Sequence, residues 1–409
     1  MEAIIIGGSI GGLTLGLMLH RAGIAARIYE STSDIKPLGV GINILPHASA
    51  ELCELGLEAE LTRAGVLTRE AVFYNRFGQF IYGEPLGRFA SNRYPQFSIH
   101  RGDLQRVLLD AYRRRAGADC VLAGWRCMRF EQDASGAIAY FEDSASGREL
   151  EPQRAGLLIG CDGLHSIVRK QLHPGEGEPL YSGVNMWRGV APWAPFLSGA
   201  SMVRAGWHAG GKMVIYPIRN DIDAEGRQLV NWVAEIATPK YKPRDWNRRG
   251  ELDDFVGAFA DWHFDWLDVP ALIRSTEKIL EFPMIDQDPL PWWTQGRVTL
   301  LGDAAHPMYP RGSNGAGQAI LDAKVLTACL ARERDTARAL KAYEAERLPA
   351  TADVVIMNRK NPPDAILREV YERTGDRPFD SLDDVITQRE LKAITDGYKR
   401  VTTQVRAAG

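Results

Sequence analysis

The feature that most constrains this chain lies at its start. An apolar run, Ala3-Ile4-Ile5-Ile6, stops at Gly7-Gly8-Ser9-Ile10-Gly11-Gly12. A helical pattern follows from Gly11 to about Ala22, with Leu13, Leu17 and Met18 on one side, until Gly23 ends it. Ala26 to Glu30 reads as a second short strand. Strand, glycine-rich turn, helix and strand in that order predict a right-handed βαβ unit. A dinucleotide fingerprint needs glycine at its first, third and sixth positions. Gly7 and Gly12 comply, whereas Ser9 stands third, where glycine would let the backbone approach a pyrophosphate. The helix start near Gly11 offers free N–H groups and a positive dipole end to phosphates. Glu30, at the end of the second strand, suits a ribose 2′-OH and repels a 2′-phosphate, so the unit favours FAD or NAD over NADP.

A second constellation follows the apolar strand Arg297–Leu301. It reads Gly302-Asp303-Ala304-Ala305-His306-Pro307, then Pro310-Arg311-Gly312-Ser313-Asn314-Gly315-Ala316-Gly317, and it opens a helix reaching about Arg332. A carboxylate at a strand end can hold a polyol hydroxyl, and a glycine-rich loop entering a helix offers N–H groups to an anion. An ordinary strand-to-helix loop would look the same in isolation.

Between these sites, residues 47–65, 101–116 and 251–274 are expected to be helical. Short β-like runs broken by turns at 120–160 predict a β-meander. Met186–Val190, Met213–Pro217 and Leu229–Ile236 predict an antiparallel sheet, and the chain after Arg332 is expected to be mostly helical. No second glycine-rich βαβ fingerprint is present.

Composition narrows the class. Of 409 residues, 45% are apolar and 25% charged, with a net charge of −3, which is ordinary for a globular enzyme and offers nucleic acid or an anionic membrane no patch. No apolar stretch approaches the roughly 20 residues of a membrane span. The start MEAIIIGGS lacks a signal peptide's basic region. Cys53, Cys120, Cys127, Cys161 and Cys329 have no CxxC spacing, so neither a disulfide framework nor a metal site is expected, and a reducing cytoplasm fits.

Three motifs stand in one order: the GGSIGG start with Glu30, Cys161-Asp162-Gly163-Leu164-His165-Ser166-Ile167-Val168-Arg169, and the late GDAAHP. Together they resemble the group A flavoprotein monooxygenases, the para-hydroxybenzoate and salicylate hydroxylase family, over most of the chain. PLGVGINILP at 37–46, YPQFSIHRGDLQ at 94–105, MWRGV at 186–190, LVNWV at 229–233 and LLGDAAHPMYP at 300–310 are most similar to the 5-methylphenazine-1-carboxylate monooxygenase-like members. Ser9, in place of the middle glycine, and Arg311, where an apolar or small residue is expected beside the isoalloxazine, depart from the pattern.

The resemblance implies an α/β fold: a Rossmann-like FAD-binding domain of the GR2 type with a β-meander (1–70, 98–176 and 278–350), a substrate domain with an antiparallel sheet (71–97 and 177–277), and a C-terminal helical region (351–409). It implies that Gly7, Ser9, Gly11, Gly12 and Glu30 hold the ADP half of FAD. Arg101 would contact the pyrophosphate or ribityl region and Asp303 the ribityl chain. Asp162 would serve FAD and nicotinamide, orienting Arg101 or backbone near the pyrophosphate. Gly41, Gly315 and Ala316 complete the cofactor set.

The implied reaction uses NADH or NADPH and O2. It hydroxylates an aromatic or N-heteroaromatic small molecule through a C4a-hydroperoxyflavin, with or without decarboxylation. The cofactor carries the hard step, so no acid–base dyad need show in the sequence. The substrate should lie in a flat, apolar, aromatic-lined pocket with few polar anchors. Tyr216, Arg204 and Pro310 are the candidates beside the reacting atoms, and Trp187, Arg188, Trp232 and Arg311 those for substrate. A Trp or Tyr on a strand is more often packing than site. His306 reads as structural, and His100 and His208 carry no pattern. The alternatives are an oxidase or halogenase on the same fold, although the halogenase segment Trp-x-Trp-x-Ile-Pro is absent, or a flavin sensor without turnover. A monomer or a homodimer is compatible with the charged C-terminal helices.

Overall fold

The computed structural model describes residues 2–34, 39–238 and 249–402. Pro37 and Leu38 of the first resembling stretch, residues 239–248 of the expected substrate domain and residues 403–409 of the expected tail lie outside the described residues.

Glu2–Ile6 is the middle strand of a five-stranded parallel sheet ordered Val298–Leu300, Leu157–Gly160, Glu2–Ile6, Ala25–Glu30, Val121–Ala123. Ala3 to Ile6 are buried, as a parallel strand covered on both faces requires. The chain visits strands on both sides of Glu2–Ile6, so a crevice opens beyond the strands' carboxyl ends. Gly7, Cys161 and Leu301 directly follow three of those ends. Helix Ile10–Arg21 covers the sheet beside Arg101–Ala116, and Gly16 makes their contact possible: a Cβ there would meet the Tyr112 ring at 2.8 Å. The expected meander is a three-stranded antiparallel sheet of Trp125–Gln132, Ala137–Asp143 and Glu149–Ala155.

The expected antiparallel sheet has seven strands, ordered Leu280–Asp286, Leu180–Trp193, Gln228–Ala237, Lys212–Arg219, Ser201–Gly206, Glu70–Tyr74, Phe80–Pro85. Only the pairing of Ser201–Gly206 with Glu70–Tyr74 is parallel. Side chains alternate between the faces of a strand. The register Met186↔Glu235, Arg188↔Val233, Val214↔Val233 and Lys212↔Glu235 therefore sends these residues to one face. Trp187, Ile215, Trp232 and Ala234 go to the other, where they join a core with Phe255, Phe259, Trp262 and Leu272.

The helix expected over 251–274 is corrected. The segment forms short 3-10 turns at Leu252–Asp254 and Val256–Phe259, a hairpin of His263–Phe264 with Leu267–Asp268, and one short helix, Val269–Arg274. Burying Phe255, Phe259, Trp262 and Phe264 in one apolar layer wins over local helix preference. Pro270 occupies the first turn of the short helix, where Asp268 caps it. Helices Gly315–Arg332, Thr336–Lys360, Ala365–Thr374 and Gln388–Thr402 follow. The last two pack Ile366, Leu367, Val370 and Leu391 on Ala71, Phe73 and Ile81 of the seven-stranded sheet. Among the described residues no helix is long and apolar enough to cross a membrane.

Candidate active site

A cavity of about 350 Å³ opens where the two large sheets face each other. Its first wall is the glycine-rich turn. Gly7 has φ +104°, and a Cβ there would lie 2.5 Å from the Cys161 carbonyl oxygen; at Gly12 a Cβ would lie 2.1 Å from the Gly7 carbonyl oxygen. The outer glycines of the fingerprint are thus demanded by close backbone approach. Ser9 is the N-cap: its hydroxyl donates to the Cys161 carbonyl at 3.1 Å and accepts the Gly12 N–H at 3.2 Å. The serine is accommodated because it caps its own helix. Ser9 and Gly11 face the cavity.

Glu30 is turned inward. Its Oε2 accepts the Gly8 N–H at 2.7 Å, and its Oε1 accepts from the backbone and hydroxyl of Thr32. It lies outside the cavity lining, as do Gly7 and Gly12. Gln105, which the sequence did not single out, donates to the Gly8 carbonyl at 2.7 Å and fixes the turn from the other side. Asp162 makes its hydrogen bonds to Ser166, Ile167 and Val168. Burial pushes its carboxyl up, against hydrogen bonds from Ser166 and the backbone of Ile167 and Val168. It accepts the Ser166 hydroxyl and the Ile167 N–H at 2.8 Å, so it holds the start of helix Ile167–Leu172. Arg101, exposed at the first position of its helix, does reach the cavity lining.

The second wall is the late glycine loop with Gly302, Asp303, Pro310, Arg311, Gly315 and Ala316. Helix Gly315–Arg332 starts at Asn314 with no side-chain cap, so its first N–H groups are left for a ligand on the cavity side. That uncapped start, together with Ser9 and Gly11 at the other helix start, fits a dinucleotide whose charged and polar edges need backbone donors. The loop is held from behind. Asp322 accepts the Gly302 N–H at 3.1 Å and pairs with His306 at 2.6 Å and Arg347 at 2.7 Å. Buried Arg169 donates to the carbonyls of Ala304 and Ala305. Tyr398, from the last helix, accepts from Asn314 Nδ2 at 2.5 Å and donates to Asn358 Oδ1 at 2.7 Å. Gly312 is where that ring crosses: a Cβ there would meet the Tyr398 hydroxyl at 1.8 Å.

The third wall is the inner face of the seven-stranded sheet. Met186, Met202, Val214 and Val233 make it apolar. Tyr216 lies mid-strand and donates to the Gly41 carbonyl at 2.8 Å; Arg188 donates to the same oxygen at 2.9 Å. Asn231 accepts the Gly41 N–H at 2.7 Å, and a Cβ on Gly41 would collide with Tyr216, Ile218 and Asn231. Burial pushes the Tyr216 phenol up, against Arg188 and Arg204, so it stays a donor at neutral pH.

Beside this apolar surface sits a buried charge cluster of which sequence reasoning singled out only Arg204. Lys212, 1% exposed, contacts both Glu235 oxygens at 3.0 Å and Asp364 at 2.5 Å. Arg204 pairs with Asp364 at 3.2 Å, and His208 with Glu235 at 2.9 Å. Burial pushes the Glu235 carboxyl up, but Lys212, His208 and Arg311 together outweigh it and hold it low. Asp364 is likewise held low by Lys212 and Arg204 against its burial. The available signal was alternation, which puts Lys212, Val214 and Tyr216 on one face. Asp364, far along the chain, carried none.

Trp187 and Trp232 are brought to none of the three walls. Trp187 stacks on Phe255 at 5.1 Å, and Trp232 donates to the Thr276 hydroxyl at 2.8 Å in the opposite core. Trp187 and Arg188 are adjacent on a strand and cannot share a face, so the tryptophan expectation is corrected by register.

The FAD binding domain family model matches residues 1–358. Phenazine 1,6-dicarboxylic acid hydroxylase PhzS of Lysobacter antibioticus is 42% identical over 404 residues, covering 98% of this chain and 97% of that protein. Aurachin C monooxygenase/isomerase of Stigmatella aurantiaca is 34% identical, covering 87% of each. The structure of Klebsiella pneumoniae HpxO complexed with FAD and uric acid aligns with a TM-score of 0.77 at 25% identity, covering 98% of this chain and 97% of that one. With its parallel-sheet crevice, uncapped late helix and apolar sheet wall, the chain belongs to the FAD binding domain family, among the group A flavoprotein aromatic monooxygenases.

Proposed function

We propose that the ring hydroxylated by this FAD-dependent monooxygenase belongs to a planar N-heteroaromatic acid of the phenazine kind. The observation that carries the reading is a pair of guanidinium groups. Arg188 Nε and Arg311 Nε are buried without a hydrogen-bond partner among the described residues, and both side chains line the cavity. Each guanidinium spends one N–H on a backbone carbonyl, Gly41 for Arg188 and Asn358 for Arg311, and keeps a buried N–H unpaired, which favours a ligand bearing acceptors or negative charge. Met186, Met202, Val214 and Val233 offer a flat ring an apolar face and keep water from it. The relative named for a phenazine dicarboxylic acid supports the same chemistry.

When bound, FAD supplies reduction by NADH or NADPH and activation of O2. In this reading the protein's own groups bind and orient. Ser9, Gly11, Gly315 and Ala316 present backbone donors, while Arg101 and Asp303 take the polar stem between them. Tyr216 and Arg188 fix Gly41 so that the cavity keeps its shape. Arg188 and Arg311 hold the acidic ring beside Arg204, which is anchored on Asp364, and Pro310 stiffens the loop facing it. Glu30 and Asp162 act at one remove, shaping the Gly8 turn and the Ile167 helix start.

Two measurements test this. Phenazine-1-carboxylate, 6-hydroxynicotinate and urate are screened for stimulated NADH and NADPH oxidation with one oxygen atom appearing in the product. Phenazine-1-carboxylate is expected to stimulate most, and stimulation by urate alone sinks the substrate assignment. Asp303→Ala is expected to lose bound flavin by about tenfold or more in affinity, about 1.4 kcal/mol; a stoichiometrically yellow variant removes Asp303 from the cofactor site. The separate apolar cores support the expected division into cofactor and substrate domains. The five free cysteines support a reducing, cytoplasmic setting, with a monomer or homodimer as the working state.

A further inference from the structure

A second cavity, of about 530 Å³, lies behind the first. Met202, Arg204 and Gly312 line both, so the two chambers meet at these residues, with Arg204 paired to Asp364 on the first cavity's side. Leu45, Ala71, Phe73, Leu86 and Pro363 make the rear chamber apolar. Its volume falls in the range of about 300–1,000 Å³ typical of small-molecule sites.

Within this apolar chamber one donor is stranded. Gln96 is 2% exposed, lines the chamber, and its side-chain Nε2 has no hydrogen-bond partner among the described residues. Leaving such a donor buried and unpaired is costly, and a carboxamide N–H can only donate. The missing partner is therefore an acceptor. His47 Nε2, also in the lining, is likewise buried without a partner. Burial, assisted by Arg347, brings the His47 ring down to about 4, so it is neutral near pH 7 and offers no competing charge. At the rim stand Arg93 and Lys399, the latter paired with Glu84 at 2.6 Å. The chamber combines apolar walls, a buried donor and a cationic rim, in continuity with the site where the ring reacts.

We propose that this rear chamber is a second substrate subsite, which receives the distal ring of a fused aromatic substrate and sets an acceptor substituent, a carboxylate or ring carbonyl, against Gln96. The inference rests on the aromatic-acid reading above and deepens it. The front cavity handles the ring that reacts, and the rear chamber measures how many rings follow it. A single-ring acid fills only the front. A fused acid spans the Arg204 junction and gains the rear contacts.

The test is calorimetric titration of the FAD-loaded enzyme with benzoate and with phenazine-1-carboxylate, using wild type, Gln96→Glu and Ala50→Phe. Gln96→Glu keeps size but replaces the donor with an acceptor, and Ala50→Phe adds bulk from the half-buried helix face lining the chamber. Retained flavin absorbance in each variant reports an intact fold. The expected result is that each variant raises the Kd for phenazine-1-carboxylate about tenfold more than that for benzoate, the equivalent of one buried hydrogen bond or well-packed ring edge. Equal changes for the two ligands, or no binding of phenazine-1-carboxylate to wild type, overturn the proposal. Failure of the functional reading shows separately, as wild type that binds both ligands yet oxidises no additional NADH or NADPH.

Discussion

Around Ser9, Gly11, Gly302 and Gly315 the cavity wall is backbone, whereas across from it Lys212, Glu235, Arg204 and Asp364 make a wall of side chains. The first is built from short segments that carry their own geometry: a strand end, a glycine, a helix start. The second is built from strands paired across the sheet, with Asp364 arriving from the loop before helix Ala365–Thr374. The difference teaches that a wall of backbone tolerates side-chain variation, as Ser9 at a glycine position illustrates. The sheet wall depends on charges whose balance is set far away in the chain.

If the sheet wall is a coupled charge unit, removing one member strands the others. Lys212→Met leaves Glu235 and Asp364 facing each other without their shared ammonium, and about 3–5 kcal/mol of stability should go. Chemical denaturation reads this, and a loss below about 1 kcal/mol would mean the pairs behave as solvated ones. The pH dependence sharpens the point. Both carboxyls are held below their ordinary values, so the stability they contribute is complete above about pH 4 and is lost as pH falls through the lower folded values. Lys212→Met lifts both carboxyls toward or above their ordinary values, so it should lose less stability than wild type as pH falls below about 4.

Trp232→Ala separates the sheet's two faces. Deleting this fully buried ring should cost about 3 kcal/mol or more. Because the ring lies on the face away from the cavity, the variant that remains folded at low temperature should keep its KM for the aromatic substrate; a KM rising in step with the stability loss would return Trp232 to the site. The smallest effect belongs to the backbone wall. Ser9→Ala removes one helix cap and should cost about 1 kcal/mol, with a modest fall in flavin affinity, and Ser9→Gly only a few tenths. A Ser9→Gly enzyme that loses its flavin would show that the hydroxyl touches the cofactor directly.

The cofactor side was readable because its requirements are local. Gly7 and Gly12 must be glycine where the Cys161 carbonyl and the Gly7 carbonyl approach, and such demands stay at fixed spacing along a strand–turn–helix. Helix Gly315–Arg332 was likewise legible from its glycine-rich entry. The 251–274 segment was not, because its aromatics are spent on the core shared with Trp187 and Trp232, and that core forms only when the sheet exists.

The order of three nucleotide-site motifs, and the glycines within them, were determined by the sequence alone, since steric exclusion of a Cβ acts over a few residues. Which face of each strand looks into the cavity was decided only by the tertiary structure: a one-residue change of register exchanges Arg188 for Trp187. The same holds for the meeting of Lys212 with Asp364 and for the unpartnered Gln96 in the rear chamber. Burial and pairing there depend on elements that become neighbours only after folding.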